Sequence, residues 1–167
     1  MLKVKEKIMN DKIEKDNITF EKFNKDNIEH LKLASTFQND SLIKEFYSEW
    51  EEITRLSIDD DTTTFYSYVV SIDRIIVGMV TLTFTNDEEC VLSLGFLPKY
   101  RGKGNAGIVR GAMLDYLFSL GLTRVKGYIR ENNLNNLKSV AKMGVTVNPV
   151  ANTDLYEVIY ENEARKR

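Results

Sequence analysis

Residues 65–72, 75–85 and 90–97 form three consecutive runs rich in valine, isoleucine, threonine, phenylalanine and tyrosine. The third leads through Arg101-Gly102-Lys103-Gly104-Asn105-Ala106 into a helical stretch over 107–120. This succession constrains the chain more than anything else in it. The connections Ser71-Ile72-Asp73-Arg74 and Asn86-Asp87-Glu88-Glu89 have the length and composition of turns, so the runs predict an antiparallel meander. The strand, glycine turn and helix that follow must then lay an amphipathic helix across that sheet. Ile108, Met113, Leu114, Leu117 and Leu120 supply its apolar face, and Gly121 is placed to end it.

The flanks extend the pattern. Residues 1–17 read as a charged lead-in and 18–23 as a short strand. Asp26 can cap a helix running to about Phe37, with Ile28, Leu31 and Ala34 on one face. Asn39-Asp40-Ser41 can cap a second helix over 42–56, where Ile43, Phe46, Trp50 and Ile53 recur at helical spacing. Phe46, Tyr47 and Trp50 suit core packing, a ligand pocket or the face of a homodimer. Asp59-Asp60-Asp61 reads as a solvated turn, because the glycine and distal glutamate of a calcium loop are missing, and no metal is expected. Beyond the glycine loop, 124–129 is a strand, and Asn132 or Asn133 caps a helix to Met143 that Gly144 closes. Strands follow at 146–150 and 155–159, and 162–167 is a charged tail. The expectation is one domain over 18–161 of the α/β (α+β) class. It has a mixed, mostly antiparallel sheet of about seven strands with four helices packed on it.

The length of 167 residues suits a single core, and 43% hydrophobic with 29% charged residues is ordinary for a soluble globular domain. A net charge of −2 gives no electrostatic reason to expect nucleic acid. No run reaches the roughly 18 apolar residues that span a bilayer, so no membrane partner is expected. The single cysteine, Cys90, excludes an internal disulfide and fits a reducing compartment. No apolar signal-peptide core follows the basic start, so a cytoplasmic location is expected.

The glycine loop is where chemistry can sit. Backbone N–H groups uncovered by side chains, followed by a helix N-terminus, make a site for phosphate or pyrophosphate. Gly102-x-Gly104-x-x-Gly107 matches a dinucleotide fingerprint literally, and Glu131 could be offered as its ribose ligand. However, Pro98-Lys99-Tyr100-Arg101 separates the loop from the strand, and antiparallel-looking strands precede it. A nucleoside-triphosphate loop would need serine or threonine after its glycine-lysine pair, whereas Gly102-Lys103 runs into Gly104. The bland alternative is a tight turn flanked by the solvated cations Lys99, Arg101 and Lys103.

The segment Leu94-Gly95-Phe96-Leu97-Pro98-Lys99-Tyr100-Arg101-Gly102-Lys103-Gly104-Asn105-Ala106 resembles the central motif of the GNAT superfamily of N-acetyltransferases. The [Q/R]-x-x-G-x-[G/A] signature is met by Arg101, Gly104 and Ala106. Asn133 and the pair Gly144-Val145 match a second feature of that superfamily, and the order of elements agrees over about 18–161. The layout is similar to that of the ribosomal-protein N-terminal acetyltransferase branch. The resemblance implies an acetyl-CoA-dependent enzyme that passes an acetyl group to a primary amine, on a small molecule or a peptide N-terminus, by direct attack on the thioester. It implies a splay between the fourth and fifth strands that admits the cofactor. Arg101, Gly102, Lys103, Gly104, Asn105, Ala106 and Gly107 would wrap the pyrophosphate. Leu94, Gly95 and Phe96 would pair with the pantetheine arm, and Asn133 would contact it. A helix cap is the plain alternative for Asn133.

Two positions depart from the family pattern. Seven residues after Asn133, where many members carry a tyrosine as general acid, stands Val140. Near Ser93, where many carry a glutamate base, this chain has serine, and Glu88 and Glu89 at the start of that strand are the substitutes. Glu89 and Ser93 are therefore the catalytic candidates. His30, the one histidine of the chain, reads as a surface histidine of the first helix. Glu45, Glu49, Glu51, Glu52 and Asp59 to Asp61 give an acidic bias that suits a cationic amine. A non-catalytic module that binds acyl-CoA or a partner is the alternative function.

Overall fold

The expected meander forms: β3 (Thr64–Ile72), β4 (Ile75–Phe84) and β5 (Glu89–Phe96) pair antiparallel in that order. The computed structural model describes residues 11–40, 64–84, 86 and 88–163. Asp73 and Arg74 both adopt positive φ, 51° and 68°, which makes the β3–β4 hairpin a tight two-residue turn. The remaining elements are β1 (Lys12–Lys15), β2 (Ile18–Lys22), α1 (Ile28–Gln38), α2 (Asn105–Ser119), β6 (Arg124–Arg130), α3 (Leu134–Ala141), β7 (Thr146–Pro149) and β8 (Leu155–Glu161). They complete an eight-stranded sheet in the order β1-β2-β3-β4-β5-β6-β8-β7. Only the β5–β6 pair is parallel; the others are antiparallel.

The sheet starts earlier than expected and has one strand more. Lys12–Lys15 is charged but alternates, and its one apolar residue, Ile13, is buried in the core opposite Phe20. Asp16, at φ 54°, turns the chain back into β2. Charged residues on the solvent side hid this strand. Of the four helices expected, three are among the described residues. The second, over 42–56, lies outside them, as do Asp59 to Asp61, residues 1–10 and residues 164–167 of the expected tail.

Strand alternation sorts the sheet into two faces. Phe20, Tyr68, Val80, Leu82, Phe84, Leu92, Val125 and Val158 point to one face, where Val109, Met113 and Leu117 of α2 and Val140 of α3 close the main core. Val69 and Met79 point the other way, and Leu33 and Phe37 of α1 pack there. Two helix faces differ from expectation. Asn27, not Asp26, caps α1, its side chain accepting from the N–H groups of Glu29 and His30. The buried side of α1 is His30, Leu33 and Phe37, while Ile28 is 69% exposed. On α2, Ile108 is 56% exposed and Val109 replaces it inside. In both helices the apolar pattern allowed two rotations, and contacts with the sheet chose between them.

His30 is accordingly a core residue rather than a surface one, at 2% exposure. Its Nδ1 accepts from the Asn24 N–H at 3.0 Å, and its Nε2 lies 4.0 Å from Glu21 Oε1. Its ring sits against Phe23, with centroids 5.9 Å apart. The imidazole thus ties α1 to β2 and the turn that follows it.

Candidate active site

The β5–β6 pairing is short. Glu89, Cys90 and Val91 face Arg124, Val125 and Lys126, and there the ladder ends although both strands continue. Two things pull β5 toward β4. Gly78 has no side chain, and a β-carbon there would collide with the carbonyl oxygen of Gly95 and stand 3.0 Å from the Gly95 carbonyl carbon and the Phe96 Cα. Beyond it, the Leu97 N–H donates to the Val77 carbonyl at 2.8 Å. The far half of β5 therefore stays with β4, while β6 stays with β8 along its full length.

A cavity of about 240 Å³ opens between the separating strands. Leu92, Ser93, Leu94, Gly95 and Phe96 form one wall, and Gly127, Tyr128, Ile129 and Arg130 form the other. Gly127 adds no side chain to this wall; a β-carbon there would make ordinary contacts, 3.7 Å from the Leu92 carbonyl oxygen and 3.8 Å from the Tyr160 ring.

The glycine loop meets the mouth of this cleft. Gly102 and Gly104 hold φ of 72° and 81°, a region that favours glycine, and no side chain caps α2. The first-turn N–H groups of α2 are left for an anion together with the positive end of the helix dipole. Arg101 braces the loop. Its Nε donates to the Phe96 carbonyl at 3.0 Å, and its guanidinium pairs with Asp40 at 2.7 Å. The Asn105 amide donates to the Tyr100 carbonyl at 3.1 Å. Arg101 and Ala106 line the cavity; Gly102, Lys103, Gly104, Asn105 and Gly107 do not. Asn133 lines it and caps α3, its Oδ1 accepting from the Asn136 N–H at 3.3 Å, so its plain reading as a helix cap holds.

The two catalytic candidates separate. Ser93 is 3% exposed, lines the cleft, and its Oγ has no hydrogen-bond partner. Glu89 sits at the closed end, where its carboxylate pairs with Arg124 at 3.1 Å and Lys126 at 3.3 Å, and it does not line the cavity. Val140 is fully buried in the core. Glu88 belongs to the turn, where its N–H donates to Asn86 Oδ1 at 2.8 Å.

Several lining residues went unnoticed in the sequence. Tyr128 donates from its hydroxyl to Glu157 Oε2 at 3.2 Å, and burial, together with that carboxylate, pushes its pKa up to about 12. Burial also raises the pKa of Tyr160. Arg110 reaches Asn136 from α2. One signal for Arg110 was available: it shares a helix face with Met113, Leu114 and Leu117, a charge set in an apolar stripe. The Tyr128–Glu157 pair has no such signal, because its partners are cross-strand neighbours on β6 and β8.

A strand whose outer half is free of its parallel neighbour, next to an uncapped glycine loop, is the architecture implied by the resemblance. A family profile described as the acetyltransferase (GNAT) family matches residues 29–145. The chain belongs to the GNAT family. Solved structures agree on the fold. The Campylobacter jejuni N-acetyltransferase PseH superposes with a TM-score of 0.63 at 20% identity, covering 89% of this chain and all of that one. Its complex with acetyl coenzyme A gives 0.62 at 21%, covering 87% and 99%. A Vibrio cholerae spermidine N-acetyltransferase in complex with CoA and spermine gives 0.62 at 17%, covering 90% and 99%. These neighbours do not support the expected likeness to the ribosomal-protein branch. A search of curated protein sequences returns no match. The sheet agrees with the sequence argument against a dinucleotide loop, since the loop joins a mostly antiparallel sheet and Glu131 is an exposed residue after β6. Among the described residues no group of His, Cys, Asp and Glu could hold a metal, and no helix is long and apolar enough to cross a membrane.

Proposed function

We propose that this GNAT member transfers the acetyl group of acetyl-CoA to a primary amine by direct attack on the thioester, with a small-molecule amine such as a polyamine as the favoured acceptor and a peptide N-terminus as the other class. The observation that carries the reading is the cleft itself: main chain of β5 released from β6, opening beside an uncapped glycine loop. The lining fits an anionic, amide-bearing cofactor. Among the described residues it holds three arginines and no carboxylate, and Ser93 adds a hydroxyl with no hydrogen-bond partner there. Bound acetyl-CoA supplies an acyl group already activated as a thioester.

The chain's own residues do the rest. Gly102 to Gly107 offer N–H groups to the diphosphate, braced by Arg101. Leu94, Gly95 and Phe96 present to the pantetheine amides the main-chain side that β6 leaves, with the Phe96 carbonyl held by Arg101, and Asn133 adds a side-chain amide. An N–H of the same strand stabilises negative charge developing on the carbonyl oxygen. Positioning of this kind can account for about 7–11 kcal/mol of the barrier in favourable cases. Ser93 lies on the opposite face of the sheet from α2 and α3, and so does Tyr128. Its Oγ can bond to the amine or to the departing sulfur. Glu157 takes the amine's proton by way of the Tyr128 hydroxyl. Glu89 serves to fix Arg124 and Lys126.

The test is release of free CoA from acetyl-CoA with a panel of polyamines, amino sugars and peptides. Turnover with one amine class supports the reading, and Ser93→Ala and Glu157→Gln then lower kcat more than Glu89→Gln. Tight binding of acetyl-CoA with no turnover on any amine would point to the binding-module alternative, in line with Val140 where family members often carry an acid.

A further inference from the structure

Among the described residues, Arg110 is a buried cation with no carboxylate partner. It is 7% exposed and lines the cleft from the α2 side. Among the described residues its hydrogen bond is from a guanidinium nitrogen to Asn136 Oδ1 of α3 at 3.1 Å, a neutral partner. Every other arginine of the cleft has a carboxylate: Arg101 has Asp40 and Arg130 has Asp154. No carboxylate lines the cavity. Burying an ion without a partner costs several kcal/mol even after relaxation, and a well-packed apolar residue in its place is often neutral or stabilising. The position is one that packing alone would give to leucine, since Val109, Met113, Leu114 and Leu117 around it are core.

Arg110 is also set apart from the glycine loop. It lies six residues into α2 from Gly104, about 9 Å along the helix axis at 1.5 Å per residue. The loop's N–H groups can serve one anionic group; Arg110 is placed for another. We propose that Arg110, oriented by Asn136, is a second oxyanion subsite inside the cleft. It takes either a phosphate of the bound CoA or a carboxylate at the end of its acyl chain, as in succinyl-CoA. This rests on the acyl-CoA reading above.

The test compares wild type, Arg110→Leu and Arg110→Gln. Gln keeps an amide donor for Asn136 and removes the charge. Melting temperature is measured without ligand, and dissociation constants are measured for CoA, acetyl-CoA and succinyl-CoA. The expected result is that Arg110→Leu melts no lower than wild type when free, yet both variants bind ligand about 10- to 100-fold more weakly. An equal loss for all three ligands assigns the phosphate. A loss confined to succinyl-CoA, with a wild-type preference for it, assigns the carboxylate. If Arg110→Gln binds all three as wild type does, the subsite does not exist and Arg110 is an interhelical tie, whatever the stability of Arg110→Leu. If wild type binds none of the three, the acyl-CoA reading fails separately. Protection by inorganic pyrophosphate then decides: wild type protected more than Arg110→Gln supports the subsite, and equal protection overturns it.

Discussion

Alanine at Gly78 and alanine at Gly111 should move stability in opposite directions. A β-carbon on Gly78 has nowhere to go: the Gly95 carbonyl and the Phe96 Cα of β5 are backbone, not a side chain that can swing away. Relieving such overlap takes about 1–3 kcal/mol. Parting the strands also weakens the Leu97 N–H to Val77 carbonyl bond, about 1 kcal/mol more. The sum is a loss of about 2–4 kcal/mol, or a Tm lower by about 4–16 °C at about 2–4 °C per kcal/mol. Gly111, inside α2, has nothing within 4 Å of its would-be β-carbon. Alanine there relieves the helix penalty of glycine and adds about 0.5–1 kcal/mol. Thermal and urea unfolding of both variants would check this. Because Gly78 also sets where β5 lies, Gly78→Ala should weaken acetyl-CoA binding and Gly111→Ala should not. Wild-type melting for Gly78→Ala would refute the claim that close β4–β5 approach shapes the cleft.

Other outcomes follow from the same geometry. Gly104→Ala places a β-carbon at φ 81° and should cost about 1–2 kcal/mol, while weakening acetyl-CoA binding more than the paired Gly107→Ala, whose φ is not positive. Cys90 is buried and its thiol is pushed well above the usual range, so it should resist iodoacetamide in the native protein and react at once on unfolding; rapid native labelling would contradict that burial. Tyr128 is held protonated in the fold. Its contribution to stability is fully present below the ordinary tyrosine value of 10.0 and is lost as pH rises toward about 12. The stability difference between wild type and Tyr128→Phe should therefore be constant up to about pH 10 and shrink as pH rises toward about 12, where the native tyrosine keeps a proton that the unfolded one has lost. A difference that already changes with pH well below 10 would contradict this.

What could be seen in the sequence was whatever a few neighbouring residues decide. The strand runs of β3 to β5, the turns at Asp73 and Gly121, the glycine loop and the Asn133 cap all depend on local period or punctuation. The features that were not legible depend on residues far apart in the chain. Ile13 becomes core only because β2 supplies Phe20 opposite it. His30 is buried because Asn24, Phe23 and Glu21 surround it. Glu89 looked free at a strand start, yet Arg124 and Lys126 arrive from a parallel strand 35 or more residues later. The site divides in the same way. The half proposed to hold the cofactor centres on a contiguous motif, whereas Arg110 with Asn136 and Tyr128 with Glu157 come together only when the helices and strands are in place.

Hydrogen exchange with and without acetyl-CoA tests the central claim most directly, because it reads the cleft main chain residue by residue. The account predicts slower exchange over 92–96, 102–107 and 127–133 on adding acetyl-CoA, with the β1–β2 hairpin unchanged. Protection absent from those three segments, or confined to other parts of the sheet, would contradict it.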